Sequence, residues 1–243
     1  MTQRILLLAI FSVLLTGCAT RSISDSGYSR HSYYGSYGST NPLYRGELSE
    51  FAVLGIEAGR EYSEAEIRAA AEAGKEDLTL RRGDSILLIQ SGALIPDDEM
   101  IGLLSQYFRV TPFTGVPEKN DTENASYSSG LRLAAAKAGI SKILVYWGVL
   151  ESGITNLGSK TVSWVPIVGS VIPDETQNVR IRLKVGIIDV PTGAWDLFAA
   201  ESFQDSAMST RLNRADSDQE QVALLKANAY ESATKAVIAR YER

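Results

Sequence analysis

The side chains that most often carry covalent or acid–base chemistry are scarce here. The 243-residue chain holds one cysteine, Cys18, and one histidine, His31. His31 stands in a stretch of Ser, Gly and Tyr that offers nothing to orient an imidazole. Ser-His-Asp and Cys-His mechanisms depend on that orientation, so neither is expected. A zinc hydrolase needs His, Cys and carboxylate ligands converging on one ion. Any metal site here would have to use carboxylates alone, and none is assigned. The acidic residues have plainer uses: Asp97, Asp98 and Glu99 cap the start of one helix, and Asp216, Asp218 and Glu220 that of another, where negative charge suits the helix dipole. Asp174 and Glu175 follow Pro173 in what reads as a solvated turn. Ser91-Gly92 follows a strand, but the Gly-x-Ser-x-Gly of a nucleophile elbow is missing. So is a Gly-rich phosphate loop. No catalytic residue is assigned, and the chain is read as a non-enzyme.

What remains is the Cys18 sulfur as a point of attachment. Arg4 opens the chain with a charge, and Ile5 to Leu15 form an apolar run that holds one small polar residue, Ser12. A membrane-spanning helix needs about 20 apolar residues, so this shorter run fits a cleaved secretory segment. The residues that follow, Leu15-Thr16-Gly17-Cys18, resemble the lipobox of bacterial lipoproteins. That resemblance implies a diacylglyceryl group on the sulfur, cleavage before Cys18, and a further N-acyl chain such as palmitate. The alternative is an incidental small residue at the end of a signal peptide. Against it stand the uniqueness of the cysteine and the small pair Thr16-Gly17 ahead of it. Buried acyl chain contributes about 0.8 kcal/mol per CH₂, and stable anchoring takes more than one chain. Ala19 follows the cysteine, in place of the aspartate that marks inner-membrane retention in that family, so the outer membrane is expected, with the domain facing the periplasm. No other cofactor is expected.

A chain whose one thiol carries lipid forms no internal disulfide, so packing must supply stability. The net charge is −5, and removing residues 1–17 deletes Arg4 and no anion. A mildly acidic chain without basic clusters argues against a nucleic-acid partner. Residues 19–46 carry Tyr28, Tyr33, Tyr34, Tyr37 and Tyr44 among Ser and Gly, with no helical or strand period. They read as a tether whose end-to-end distance is roughly 30 Å. Tyr33 and Tyr34 could stack on a glycan or partner, or simply belong to a structureless linker.

Three segments follow: a signal peptide over 1–17, lipidated Cys18 and tether over 18–46, and an α/β domain over 47–243. Phe51 to Ile56 is a continuous apolar run expected to form a strand covered on both faces. Ser63 and Glu66 make a capping box, Tyr62 and Ile67 occupy the staple positions, and Gly74 ends that helix. The Arg81–Asp84 turn leads into a strand over Ser85–Gln90. Pro96-Asp97 starts a helix with Ile101, Leu104 and Phe108 inward, and Val110–Phe113 is a short extension. A helix over Ser126–Ala138 stops at Gly139, and Ile143–Leu150 is a strand apolar on both faces. Val179, Ile181, Leu183 and Val185 alternate with Arg180, Arg182, Lys184 and Gly186, a half-exposed strand. Asp189–Gly193 turns it back into a strand over Trp195–Phe203, and a long helix closes the chain from about Ser217 to Tyr241. The fold class is α/β: one domain, a mixed sheet flanked by helices, an antiparallel C-terminal hairpin and a long C-terminal helix.

Two stretches, Ala138–Gly148 and the hairpin Leu183–Trp195 with its Asp-x-x-Thr-Gly turn, resemble a group of outer-membrane lipoproteins. That group includes the curli-secretion-channel lipoprotein and the penicillin-binding-protein-activator lipoproteins. The resemblance implies a setting in envelope assembly, secretion or cell-wall synthesis. The channel members place a membrane-inserting hairpin where this chain has Ser152 to Gln177. Barrel strands need about 9–11 alternating residues, and Pro166 interrupts this segment. It reads as an apolar loop that docks on a partner or on lipid through Trp164, Val165 and Ile167, or that folds onto its own core. The expected role is a non-catalytic binding or scaffolding lipoprotein, attached to the membrane through lipid, with a periplasmic protein partner and oligomerisation open. The alternatives are a peptidase-like periplasmic hydrolase and an oligomeric pore component.

Overall fold

The computed structural model describes residues 21–25, 43–57, 59–74, 78–117, 126–155, 162–166, 177–207 and 214–242. These form one α/β domain around an eight-stranded mixed sheet. The strands are β1 (Arg21–Ser22), β2 (Ser85–Gln90), β3 (Arg109–Phe113), β4 (Lys142–Thr155), β5 (Val162–Pro166), β6 (Gln177–Asp189), β7 (Trp195–Ala199) and β8 (Phe203–Ala207). The helices among the described residues are α1 (Glu50–Leu54), α2 (Glu64–Ala73), α3 (Asp98–Ser105), α4 (Ser126–Lys137) and α5 (Arg214–Tyr241). The main path runs β3-β2-β4-β6-β7. β2 is parallel to β3 and β4, and everything from β4 onward is antiparallel.

β4 is the axis of the molecule, and its two edges differ. One edge is covered along nearly its full length by β6, from Lys142 opposite Asp189 to Ile154 opposite Gln177. The other is shared by three short partners in succession: β2 along Lys142–Tyr146, β1 at Val149–Leu150, and β5 along Glu151–Thr155. Successive side chains of a strand point to opposite faces, and helices cover both faces here. Ile86, Leu88, Leu144 and Tyr146 enter one core with Met100 and Leu104 of α3 and Leu225, Ala229, Ala233 and Val237 of α5. Leu87, Ile89, Ile143, Val145 and Trp147 enter the other with Val53 of α1 and Leu131 and Ala135 of α4. Burial on both faces is why β2 and β4 read as unbroken apolar runs. β6 is two-faced only at its end: Ile181, Leu183, Val185 and Ile187 join the first core. On its other face Arg180 and Arg182 hold Glu151, and Lys184 holds Glu50.

The structure corrects four expectations. Phe51–Ile56 is not a strand: residues 50–54 form a helical turn. Ser49 caps it by accepting from the Ala52 amide, and Gly55 ends it at φ 75°. The Gly55 amide donates to the Ala52 carbonyl and the Ile56 amide to the Phe51 carbonyl, a Schellman closure that a strand cannot offer. Trp195–Phe203 is not one strand, because the chain breaks step at Ala200–Ser202 and resumes as β8 farther along β6. The segment read as a loop around Trp164 contains a strand. Val162–Pro166 pairs with β4, with Trp164 opposite Gly153 and Val165 opposite Ser152. Finally, Arg21 to Asp25, expected to belong to the tether, are part of the fold as a strap along β4. The Ile23 amide donates to the Gly148 carbonyl at 3.0 Å, and the Ile23 side chain is fully buried.

Other elements follow the sequence closely. The Ser63–Glu66 capping box is formed in both directions, although Tyr62 and Ile67 remain exposed. The Asp189–Gly193 turn forms with the Asp189 carboxylate accepting from the Thr192 amide and hydroxyl.

Gly148 explains how the strap enters. A Cβ at that position would come within 2.6 Å of Ile23 Cγ1 and closer still to Cδ1. Glycine is required there because the Ile23 side chain packs directly against the strand backbone. Gly148→Ala should lower stability by about 1–3 kcal/mol, as overpacking does. Shortening Ile23 to Ala in the same chain should recover part of that loss. Urea denaturation of the two single variants and the pair measures the coupling, and strict additivity would contradict that contact.

Candidate functional site

The carboxyl end of β2 is where an open α/β sheet most often builds a site. Here it carries a cluster of buried polar groups. β2 ends at Gln90, whose Oε1 accepts from the Tyr146 hydroxyl at 2.6 Å and from the Asp97 amide at 2.7 Å. Gln90 Nε2 donates to Ser24 Oγ at 3.0 Å, and Ser24 Oγ donates to the Ser91 carbonyl at 2.6 Å. Ser91 Oγ accepts from the Leu48 amide at 2.7 Å, and the Leu48 carbonyl accepts from Trp147 Nε1 at 2.9 Å. The strap, the entry to α1, β2, β4 and the start of α3 are thereby stitched together.

The centre of the cluster is Lys226, on the inward face of α5 and 2% exposed. Its Nζ donates to the Ile23 carbonyl at 2.9 Å and to Asp97 Oδ2 at 3.2 Å. Asp97 Oδ2 also accepts from the Tyr230 hydroxyl, and the rings of Tyr146 and Tyr230 meet edge to face. Asp97 holds the N-cap position of α3 as expected, but its carboxylate makes no cap bond. It is drawn instead to the ammonium, because an unpaired charge inside the domain costs far more than an uncapped helix end. Burial lowers the Lys226 pKa from its ordinary value, and the Asp97 charge opposes that shift without cancelling it.

A second ionisable group lies on the strap's other side. Burial raises the Glu47 pKa, and the hydroxyls of Ser22, Ser91 and Tyr44 pull it only part of the way back. Glu47 Oε2 is enclosed and has no hydrogen-bond partner among the described residues. Tyr44, pushed up to about 12 by burial and by the Glu47 charge, lies against Gly92, where a Cβ would come within 2.7 Å of its ring.

Chemically, this arrangement is a lock. Ser91 sits at the end of a strand as a nucleophile might, but it is fully buried, and its hydroxyl is occupied by the Leu48 amide. The Lys226 ammonium is committed to Ile23 and Asp97. The position that a ligand would take at the end of β2 is filled by the chain's own residues 22–25.

The residues selected from sequence fall differently. Leu15, Thr16, Gly17, Cys18, His31, Tyr33, Tyr34 and Ile167 lie outside the described residues. Trp164 and Val165 lie in β5, on the same edge of β4 as the strap: Pro166 stands opposite Glu151 and Arg21 opposite the adjacent Leu150. The strap and its lock, Ile23, Ser24, Gln90, Lys226 and Tyr230, were not selected from sequence. Two signals point to them: a glycine inside the apolar β4 run, and a lysine beside the apolar stripe of α5.

Two stability predictions follow from the charges. Asp97→Asn removes the carboxylate bonded to the buried ammonium and should cost about 3 kcal/mol or more, whereas Lys226→Met keeps the packed stem and should cost less. Urea denaturation ranks the two, and the reverse order would refute the ion-pair account. For Glu47 the folded protein holds a proton more tightly than the unfolded chain. Stability should therefore fall as pH rises from 4.5 through the raised value, and Glu47→Gln should flatten that slope. Thermal midpoints of both proteins between pH 4 and 8 measure it.

A model of the YafT bacterial lipoprotein family matches residues 49–240. No match was found among curated proteins. Among the described residues no helix is long and apolar enough to cross a membrane.

Proposed function

Because the chain belongs to the YafT bacterial lipoprotein family, we propose that it is held at the outer membrane by acyl chains on Cys18, with its α/β domain in the periplasm. The observation that carries this reading is a family match over the domain together with Leu15-Thr16-Gly17-Cys18 upstream of it. Residues 1–17 are then a signal peptide, and the anchor is a diacylglyceryl thioether plus an N-acyl chain. Three chains satisfy the rule that stable anchoring takes more than one.

The domain works as a non-catalytic binding or scaffolding module for an envelope protein. The commitment of Ser91, Lys226 and Asp97 to internal hydrogen bonds supports that role over a hydrolase. Its setting is envelope assembly, secretion or cell-wall synthesis, by the resemblance to curli-secretion and penicillin-binding-protein-activator lipoproteins. Confinement to one layer raises the local concentration of module and partner without any new contact.

Cys18→Ala should move the protein from the membrane fraction to the soluble periplasmic fraction while leaving the circular dichroism of the domain unchanged. Mass spectrometry of the wild-type amino-terminal peptide should find three acyl chains. A bare thiol on the mature protein would contradict the anchor.

A further inference from the structure

The docked strap constrains how the domain sits on its membrane. Only Ala19 and Thr20 separate Cys18 from Arg21. Consecutive Cα atoms are 3.8 Å apart, so the Cys18 Cα lies within about 11 Å of the Arg21 Cα whatever path the chain takes. Arg21 is not free to swing. It pairs with Leu150 of β4, and two residues later Ile23 is buried over Gly148 with its carbonyl on Lys226. A tether of 28 residues would let the body tumble; a span of three bonds does not.

The strap meets the sheet at one end. That end holds the far portion of β4 with β5 and β6 paired to it, and β8 paired in turn to β6. It also holds the loop leaving β2, in which Leu94 and Ile95 are 55% and 63% exposed. Leu43, 58% exposed, stands beside Tyr44, whose ring packs on Gly92 in the same loop. Single exposed apolar side chains are ordinary on a protein surface. Three of them at the end nearest the acylation site are a different matter, since that is where lipid is within reach.

We propose that the carboxyl end of β2 and the outer end of β4 form a membrane-facing surface, pressed onto the bilayer by a strap of residues 21–25. The opposite end, with the Arg81–Asp84 turn and the Asp189–Gly193 turn, points into the periplasm and is left for a partner. This rests on acylation of Cys18, and the occupant of the surface is the lipid bilayer itself.

The acylated protein has no free thiol, so a cysteine placed at either end can be labelled alone. Ile95→Cys and Arg82→Cys lie at opposite ends of β2, about 20 Å apart along the strand. Each full-length lipoprotein, labelled with an environment-sensitive fluorophore, is inserted into vesicles of phosphatidylethanolamine and phosphatidylglycerol carrying headgroup-quencher lipid. Quenching at position 95 should exceed that at position 82 several-fold. A flexible ten-residue Gly-Ser insert between Thr20 and Arg21 should bring the position-95 value down to that at position 82, with membrane fractionation unchanged. Equal quenching at both ends without the insert overturns the orientation while leaving the anchor standing. Labelling of the parent protein at Cys18 itself overturns the anchor, and the orientation with it.

Discussion

A buried ammonium that must be satisfied organises this molecule. Lys226 reaches inward from a long helix into the core, and among the described residues its ammonium donates to the carboxylate of Asp97 and the backbone carbonyl of Ile23. The first ties α5 to the start of α3. The second ties both to a segment some two hundred residues away in sequence. A charged donor in a low-dielectric interior makes unusually strong hydrogen bonds, and an unusually costly vacancy when one is lost. The amino-terminal segment is therefore part of what makes the core complete.

That interaction bears on function through position. In parallel α/β sheets the carboxyl ends of the strands are open, and ligands collect there. Here Ser22, Ile23 and Ser24 fill that space and spend its polar groups on Gln90 and Ser91. The same substitution of chain for ligand places Arg21 to Asp25 at one end of the sheet. A segment that in sequence reads as the start of a long tether is, from Arg21 to Asp25, docked on the sheet. The buried Glu47 beside it adds a titratable group to that joint, one whose pKa burial raises.

Much of the fold was legible because its strands and helices obey simple periods. The Ile143–Leu150 part of β4 is apolar on both faces and reads as doubly covered, and β2 reads as a strand after the Arg81–Asp84 turn. The alternation of Ile181, Leu183 and Val185 with Arg180, Arg182 and Lys184 marked a strand with one dry face. Segments whose structure depends on distant contacts were not legible. Residues 50–54 are apolar and short, and a run of that kind suits a buried strand as well as a helical turn; the cap at Ser49 and the left-handed Gly55 decide it. β5 was obscured by Pro166, which is tolerated because it stands at the strand's last position. The strap was the least readable element: five residues show no period, and only Ile23 among them is large and apolar. Lys226 was passed over because lysine on a helix is ordinarily solvated. Its buried state depends on a carboxylate 129 positions earlier in the chain.

Amide hydrogen exchange tests the central claim most directly. If residues 21–25 are integral to the core, the Ile23 amide, bonded to the Gly148 carbonyl, should exchange only through the opening that releases neighbouring β4 amides, with the same free energy of protection. Exchange of Ile23 at the rate of an unstructured peptide, while β4 stays protected, would show the strap to be loose and would contradict the account.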